Sequence, residues 1–100
     1  MPTTTKALAR GAFATTSATL YTVPSATTTV VTNIVITNTA GSAGTFTLAL
    51  AGTSLATTVS VAANSITTID LKQVLSATQT ITGQASATTI NYHISGVEIN

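Results

Sequence analysis

The chain has 100 residues and a formal net charge of +1, and only 5% of its residues are charged, whereas ordinary domains carry about 25%. It has no cysteine, which excludes disulfide frameworks, zinc fingers, iron–sulfur sites and cysteine nucleophiles. Threonine, serine and alanine number 25, 9 and 16. Small and hydroxyl-bearing side chains must therefore cover much of the surface, and β-branched threonine favours strands.

The N-terminal segment is predicted to be an arm over residues 1–14, preceding a single β-sandwich domain over residues 15–100. Fully extended, the first 13 residues could reach roughly 43 Å, far enough to touch a neighbouring molecule. A purely solvating tail would not need apolar anchors. The side chains expected to contact a partner are Lys6, Leu8, Arg10 and Phe13. No secretory signal is expected, because Arg10 and Gly11 interrupt the apolar run that such a signal requires.

The first strands are predicted from alternation and from proline. Residues 19–23 read as a short strand that Pro24 ends, since proline cannot donate to a ladder. Residues 28–38 alternate with a period of two, which is typical of a strand. One of its faces is predicted to carry Val30, Thr32, Ile34 and Ile36.

The middle of the chain predicts a looped hairpin followed by two more strands. Turn residues over 38–44 separate residues 28–38 from the alternating segment 45–50. Residues 55–61 continue with Leu55, Val59 and Val61 on one face, and Ala63-Asn64 makes a turn. The apolar positions of residues 66–71 break strict alternation, which predicts a bulge near Thr67-Thr68.

Two further strands are predicted over residues 80–86 and 89–99, with Gly96 shifting the register so that Val97 and Ile99 face the core. Seven or eight short strands with regular turn signals and no helix predict an all-β fold. The expected architecture is an antiparallel β-sandwich, immunoglobulin-like or jelly-roll-like. Its core is predicted to contain Ile34, Ile36, Phe46, Leu48, Leu50, Ile90 and Ile94.

Side chains that could perform chemistry are few. A Ser-His-Asp triad could use His93, Asp70 and any serine, but the chain has no Gly-x-Ser-x-Gly elbow. A metal site would need His93 with Asp70 and Glu98, a spacing that matches no ligand pattern. His93 alternates out of phase with Tyr92 and Ile94, which favours an exposed or edge imidazole. No catalytic, cofactor-binding or metal-binding residue is predicted, and a noncatalytic protein without a small-molecule substrate is expected.

Nucleic acid and membranes are not expected as partners. Three scattered cations give no electrostatic footprint for a polyanion. No apolar run approaches the roughly 18 residues of a membrane-spanning helix. Strands with so little charge do not repel one another, and Pro24 is almost their only edge protection. Association with other proteins and with copies of itself is therefore predicted.

Three segments resemble small β-sandwich structural proteins of tailed bacteriophages: Leu20-Tyr21-Thr22-Val23-Pro24, the run from Val31 to Asn38, and Ile94-Ser95-Gly96-Val97-Glu98-Ile99. The resemblance spans residues 19–99. Proteins of that type are similar to immunoglobulin-like domains and occur as capsid decoration, or cement, proteins and as modules of tail fibres and baseplates. The resemblance implies a virion component and carries no catalytic residues with it.

The favoured hypothesis is a capsid decoration protein that binds the major capsid protein and stabilises the head. It would lie on the capsid surface of a virion assembled in the host cytoplasm, as a homo-oligomer. A one-domain chain without a fibre-like extension fits this role better than a complete fibre. The alternative is a tail, baseplate or fibre-attachment component that contacts other virion proteins. An ice-binding function is disfavoured, because the threonines are clustered irregularly instead of recurring at a fixed step.

Overall fold

A computed structural model describes residues 3–100 as eight strands in two sheets. The strands are β1 (Thr3–Ala12), β2 (Ala18–Thr22), β3 (Thr28–Asn38), β4 (Gly44–Leu50), β5 (Thr53–Val61), β6 (Ser65–Leu75), β7 (Thr80–Ala85) and β8 (Ile90–Ile99). Sheet A has the order β1-β8-β3-β6, and sheet B has the order β2-β7-β4-β5. The described residues include no helix long and apolar enough to cross a membrane.

The strand order is that of a jelly roll. All neighbouring strands pair antiparallel, and only β4 and β5 are neighbours both in sequence and in their sheet. Every other connection crosses between the sheets, as two Greek keys wound together require. The hairpin predicted between residues 28–38 and 45–50 is therefore wrong, because β3 and β4 lie in different sheets. The predicted all-β antiparallel sandwich is confirmed. Of the two arrangements that the sequence left open, the topology selects the jelly roll.

Most of the segment assigned to an arm is the first strand of the sandwich. β1 pairs with β8 from Thr3↔Ile99 to Ala12↔Asn91 and forms one edge of sheet A. Its alternation is hidden in the sequence because a bulge at Leu8, between Ala7 and Ala9, shifts the register. Met1 and Pro2, the first two residues of the predicted arm, lie outside the described residues.

The core lies between the sheets and is aliphatic with a small aromatic cluster. All seven core residues predicted from the sequence are buried. Phe13 is also in the core, 1% exposed, where its ring stacks on Phe46 at a centroid distance of 6.3 Å and meets Tyr92 edge-on at 5.1 Å. Such pairs add to the burial energy of the rings. The residue that follows β1 therefore ties that edge strand to the centre of the sandwich.

A bulge at Thr32 reverses the predicted faces of β3. Pairing with both neighbours shifts between Val31 and Asn33, so Thr29 and Val31 point inward before the bulge, as Ile34 and Ile36 do after it. The prediction that Val30 and Thr32 share the inward face with Ile34 is therefore wrong. Threonine occurs both in the core and at the surface, as Thr29 and Thr32 do here, so the alternation in the sequence does not reveal the bulge.

Two other register predictions are also wrong. The irregularity in β6 lies at Leu71-Lys72, opposite the bulge of β3, and not at Thr67-Thr68. β8 has no shift at Gly96, and its even-numbered positions keep facing inward as far as Glu98. The backbone of β3 lies so close to Gly96 that a side chain has no space there.

The close approach at Gly96 predicts the effect of adding one methyl group. In Gly96→Ala the new Cβ would collide with the Val30 carbonyl oxygen and would lie 2.9 Å from Leu8 Cδ1. We expect a loss of about 2 kcal/mol in the free energy of unfolding, measured by urea denaturation, because β3 and β8 must move apart. Gly41→Ala is the matched control, since nothing lies within 4 Å of its added Cβ. Equal losses in the two variants would contradict the packing seen at Gly96.

Candidate interaction surfaces and the buried polar cluster

A cluster of polar side chains joins the two sheets at one end of the sandwich. Tyr21, on β2 of sheet B, reaches across to sheet A, where its hydroxyl donates to Glu98 Oε2 at 2.5 Å. The same hydroxyl lies 3.0 Å from Thr29 Oγ1. Since its one proton goes to Glu98, it accepts from Thr29. The ammonium of Lys6 lies 3.2 Å from the other Glu98 oxygen, Oε1, and closes the cluster.

Glu98 is the residue in this cluster that the sequence analysis missed. A carboxylate at the end of a strand is expected to face solvent, yet Glu98 is only 8% exposed. The signal that could have revealed it is parity, because position 98 continues the inward series of Ile90 and Ile94. Both of its oxygens have partners, as a buried charge requires.

The surroundings of the cluster move the pKa values of Glu98 and Tyr21 further apart. The hydrogen bond from Tyr21 lowers the pKa of Glu98 below its ordinary 4.5 against the opposing effect of burial, and the Lys6 ammonium lowers it further. Burial, reinforced by the bond to Glu98, raises the pKa of Tyr21 to about 12. At neutral pH the carboxylate is therefore ionised and the phenol is protonated.

Asn38 joins the sheets at the other end of β3. Its side chain is 2% exposed, and its amide nitrogen donates to the Ser42 carbonyl at 2.9 Å and to the Val61 carbonyl at 3.2 Å. Its side-chain oxygen accepts from the Ala40 backbone N–H at 3.0 Å. One asparagine therefore shapes the turn after β3 and binds the end of β5 in sheet B.

The four side chains predicted to contact a partner have different environments. Phe13 is in the core and Leu8 is half-buried against it. The side chain of Lys6 is 45% exposed while it pairs with Glu98. Arg10 is exposed and lies opposite His93 in the pairing of β1 with β8. Of the four, Arg10 and Lys6 are the side chains with a charged group at the surface.

The outer face of sheet A combines aliphatic and charged side chains. Register places its solvent-facing residues in four cross-strand rows: Thr5, Val97, Val30 and Val74; Ala7, Ser95, Asn33 and Asp70; Arg10, His93, Val35 and Thr68; Ala12, Asn91, Thr37 and Ile66. Val74 is 64% exposed and Ile66 is 67% exposed. Beyond the first row, a shorter row contains Thr3, Ile99 and Thr28.

The outer face of sheet B is chemically different. Its rows contain Thr19, Thr82, Ala49 and Ser54; Thr47 and Gln84; Thr22 and Thr80. These side chains carry hydroxyl groups, except for one amide and one methyl group. None of them is charged, and none is a large aliphatic side chain. The two broad surfaces of the sandwich therefore have separate characters.

The side chains considered for catalysis or metal binding are not brought together. His93 and Asp70 are both on the outer face of sheet A, but β3 lies between their strands. Glu98 points to the opposite side of the sheet, into the polar cluster. Over residues 3–100 no group of three or more histidine, cysteine, aspartate or glutamate side chains could hold a metal ion.

Comparison with solved structures finds a similar fold in a chain of one virus structure. A chain from the structure of infectious bursal disease virus, Gx strain, matches 97% of this chain and 32% of its own length, with a TM-score of 0.53 and 12% identity. Two structures of pentameric capsid proteins isolated from metagenomic phage sequences each cover 90% of this chain. Their TM-scores are 0.38 and 0.30, their identities are 16% and 17%, and 60% and 61% of their own lengths are covered.

The chain thus spans about a third of the length of the bursal disease virus chain and about three fifths of the phage capsid chains. No protein-family model and no curated protein matches it. The likeness to the bursal disease virus chain is one of fold, and it extends over nearly the whole jelly roll.

The polar cluster predicts how stability depends on Tyr21. Tyr21→Phe leaves the Glu98 carboxylate buried with Lys6 as its remaining side-chain partner. We expect a loss of about 1–3 kcal/mol in the free energy of unfolding at neutral pH, measured by urea denaturation. Tyr92→Phe is the matched control, since the Tyr92 hydroxyl makes no side-chain hydrogen bond to any residue between 3 and 100. Equal losses in both variants would contradict the cluster.

The same variant should change the pH dependence of stability at both extremes. The stability contributed by the lowered pKa of Glu98 is fully present above pH 4.5 and is lost as pH falls through the folded-state pKa. That contributed by the raised pKa of Tyr21 is present below pH 10.0 and is lost as pH rises toward about 12. In Tyr21→Phe the free energy of unfolding should therefore fall less steeply at acid pH, and the part of its alkaline decrease that Tyr21 causes should disappear. Unfolding curves across both ranges test this, and unchanged profiles would contradict it.

Proposed function

We propose that this chain is a noncatalytic structural protein of a virion, and specifically a decoration protein that binds the major capsid protein of a tailed phage and stabilises its head. The observation that carries the proposal is the jelly roll shared over 97% of the chain with a chain of a virus structure.

The surface chemistry supports attachment to other proteins. Stable protein interfaces bury about 800 Å² on each partner. The principal extents of this molecule are 45 × 21 × 18 Å, so either broad face is large enough. The rows on the outer face of sheet B carry no charged side chain, so little electrostatic energy must be given up when that face is covered. On a capsid lattice, symmetric repetition of a modest contact produces high avidity.

The first strand supplies a second means of attachment. β1 is an edge of sheet A, so half of its backbone N–H and C=O groups are not paired within the sheet. A strand of a capsid subunit can pair with such an edge. Contact with a partner molecule, either a capsid subunit or a second copy of this chain, is proposed for Arg10 and for the exposed end of Lys6. Leu8 and Phe13 would act indirectly, by fixing β1 to the core.

The number of copies in a purified virion tests the proposal. A decoration protein repeats with the capsid lattice, so quantitative mass spectrometry should find hundreds of copies per particle, in fixed proportion to the major capsid protein. Particles assembled without the chain should lose their genome at a lower temperature. A handful of copies would contradict decoration and assign the chain to the tail or baseplate. Complete absence from purified particles would contradict a virion role.

A further inference from the structure

We propose that the outer face of sheet A binds the same face of a second copy of this chain, forming a two-fold dimer whose axis runs parallel to the strands. The face comprises the four rows defined above. The row nearest the end of β8 is aliphatic, because Val30 lies directly between Val97 and Val74. On sheet B the exposed large aliphatic side chains are Leu55 and Val59, both on the edge strand β5, and they are 39% and 37% exposed. An apolar patch of this kind on a solvent-facing sheet is typical of an interaction site.

The charges on this face are arranged for self-recognition. Arg10 is on β1, at one edge of sheet A, and Asp70 is on β6, at the opposite edge. Within the part of the chain that the structure describes, the only ion pair joins Lys6 and Glu98, so neither Arg10 nor Asp70 has an oppositely charged partner within 4.0 Å. Lys72 lies two residues after Asp70, in the bulge of β6, and is also exposed. A second copy can therefore supply the missing partner to both residues at once.

The positions of these charges select one of two possible axes. A two-fold axis across the strands would place β1 over β1 of the partner and bring the two arginines together. An axis along the strands, between β8 and β3, places β1 over the partner's β6 and preserves the rows. Arg10 then lies one row from Asp70 of the partner subunit, within reach of its long side chain, and the reciprocal pair forms with it.

The same axis matches the aliphatic residues. β8 then lies over β3 of the partner, so Val97 packs on Val30 of the partner subunit, and the reciprocal contact forms on the other side of the axis. Two twisted sheets that pack face to face in this way cross at about 30° and interdigitate their side chains. Apolar burial supplies the attraction, while the two charge pairs fix which strands lie opposite each other.

A charge exchange tests the arrangement in the purified chain. Arg10→Asp and Asp70→Arg should each weaken dimerisation by about tenfold or more, because each places like charges opposite each other. The double variant Arg10→Asp/Asp70→Arg restores opposite charges and should return the dimer dissociation constant to near the wild-type value. Sedimentation equilibrium measures all four proteins. Both residues are exposed, so circular dichroism should show the wild-type fold throughout.

A second pair of variants tests the face independently of the charges. Val74→Lys places a charge in the aliphatic row and should dissociate the dimer. Ser54→Lys places the same charge on the outer side of sheet B, also on an edge strand, and should leave the dimer intact.

Three results would overturn the proposal: a wild-type chain that stays monomeric up to about 1 mM, a double charge variant that does not recover, or equal dissociation by both lysine variants. None of these measurements requires a virion. A failure here is therefore distinct from a failure of the decoration role, which the copy number tests.

Discussion

Burial of one side of every strand between the two sheets is the constraint on which this jelly roll depends. With only three cations and two carboxylates, the chain has almost no charge to contribute to its stability, and exposed charges would add little in any case. The core residues are largely aliphatic, and the central ones are completely removed from water. Burial of such side chains is worth about 25 cal/mol for each square ångström. The bulges follow from this requirement, since those at Leu8 and Thr32 change the strand parity where the inward side would otherwise be lost.

The polar cluster at Tyr21 and Glu98 is the exception inside this apolar layer. A buried carboxylate adds little net stability over a well-packed apolar residue, but leaving it without a partner is costly. Glu98, on β8, finds its partners on two other strands only when β1, β2 and β8 are correctly aligned. Asn38 performs a similar function at the far end of β3 with backbone partners. The two sites connect the sheets at opposite ends, where the aliphatic packing alone would permit them to slide.

The sequence predicted the class of fold and most of the strands, because alternation and turn residues are local signals. The limits of β3 were predicted to the residue, and the turn at Ala63-Asn64 was confirmed. The strand character of residues 3–12 was missed, since the bulge at Leu8 interrupts an alternation that is already weak. Glu98 was missed because the register shift predicted at Gly96 turned it toward solvent, and because its partner Tyr21 is 77 residues away in the chain. Contacts between residues so distant leave no pattern in a single sequence.

The partner residues were chosen for their chemical type, and only the fold separates Arg10, which is exposed, from Phe13, which is buried.

The hydroxyl-covered side of sheet B has a consequence for the solution around the molecule. Water binds to threonine and serine directly, and no cloud of counterions has to form over such a surface. Changes in ionic strength leave that hydration nearly unaltered, whereas a surface rich in lysine and glutamate would gain or lose its ions as the medium changed. A particle that displayed this side outward would present the same hydrated, uncharged surface at low and at high ionic strength.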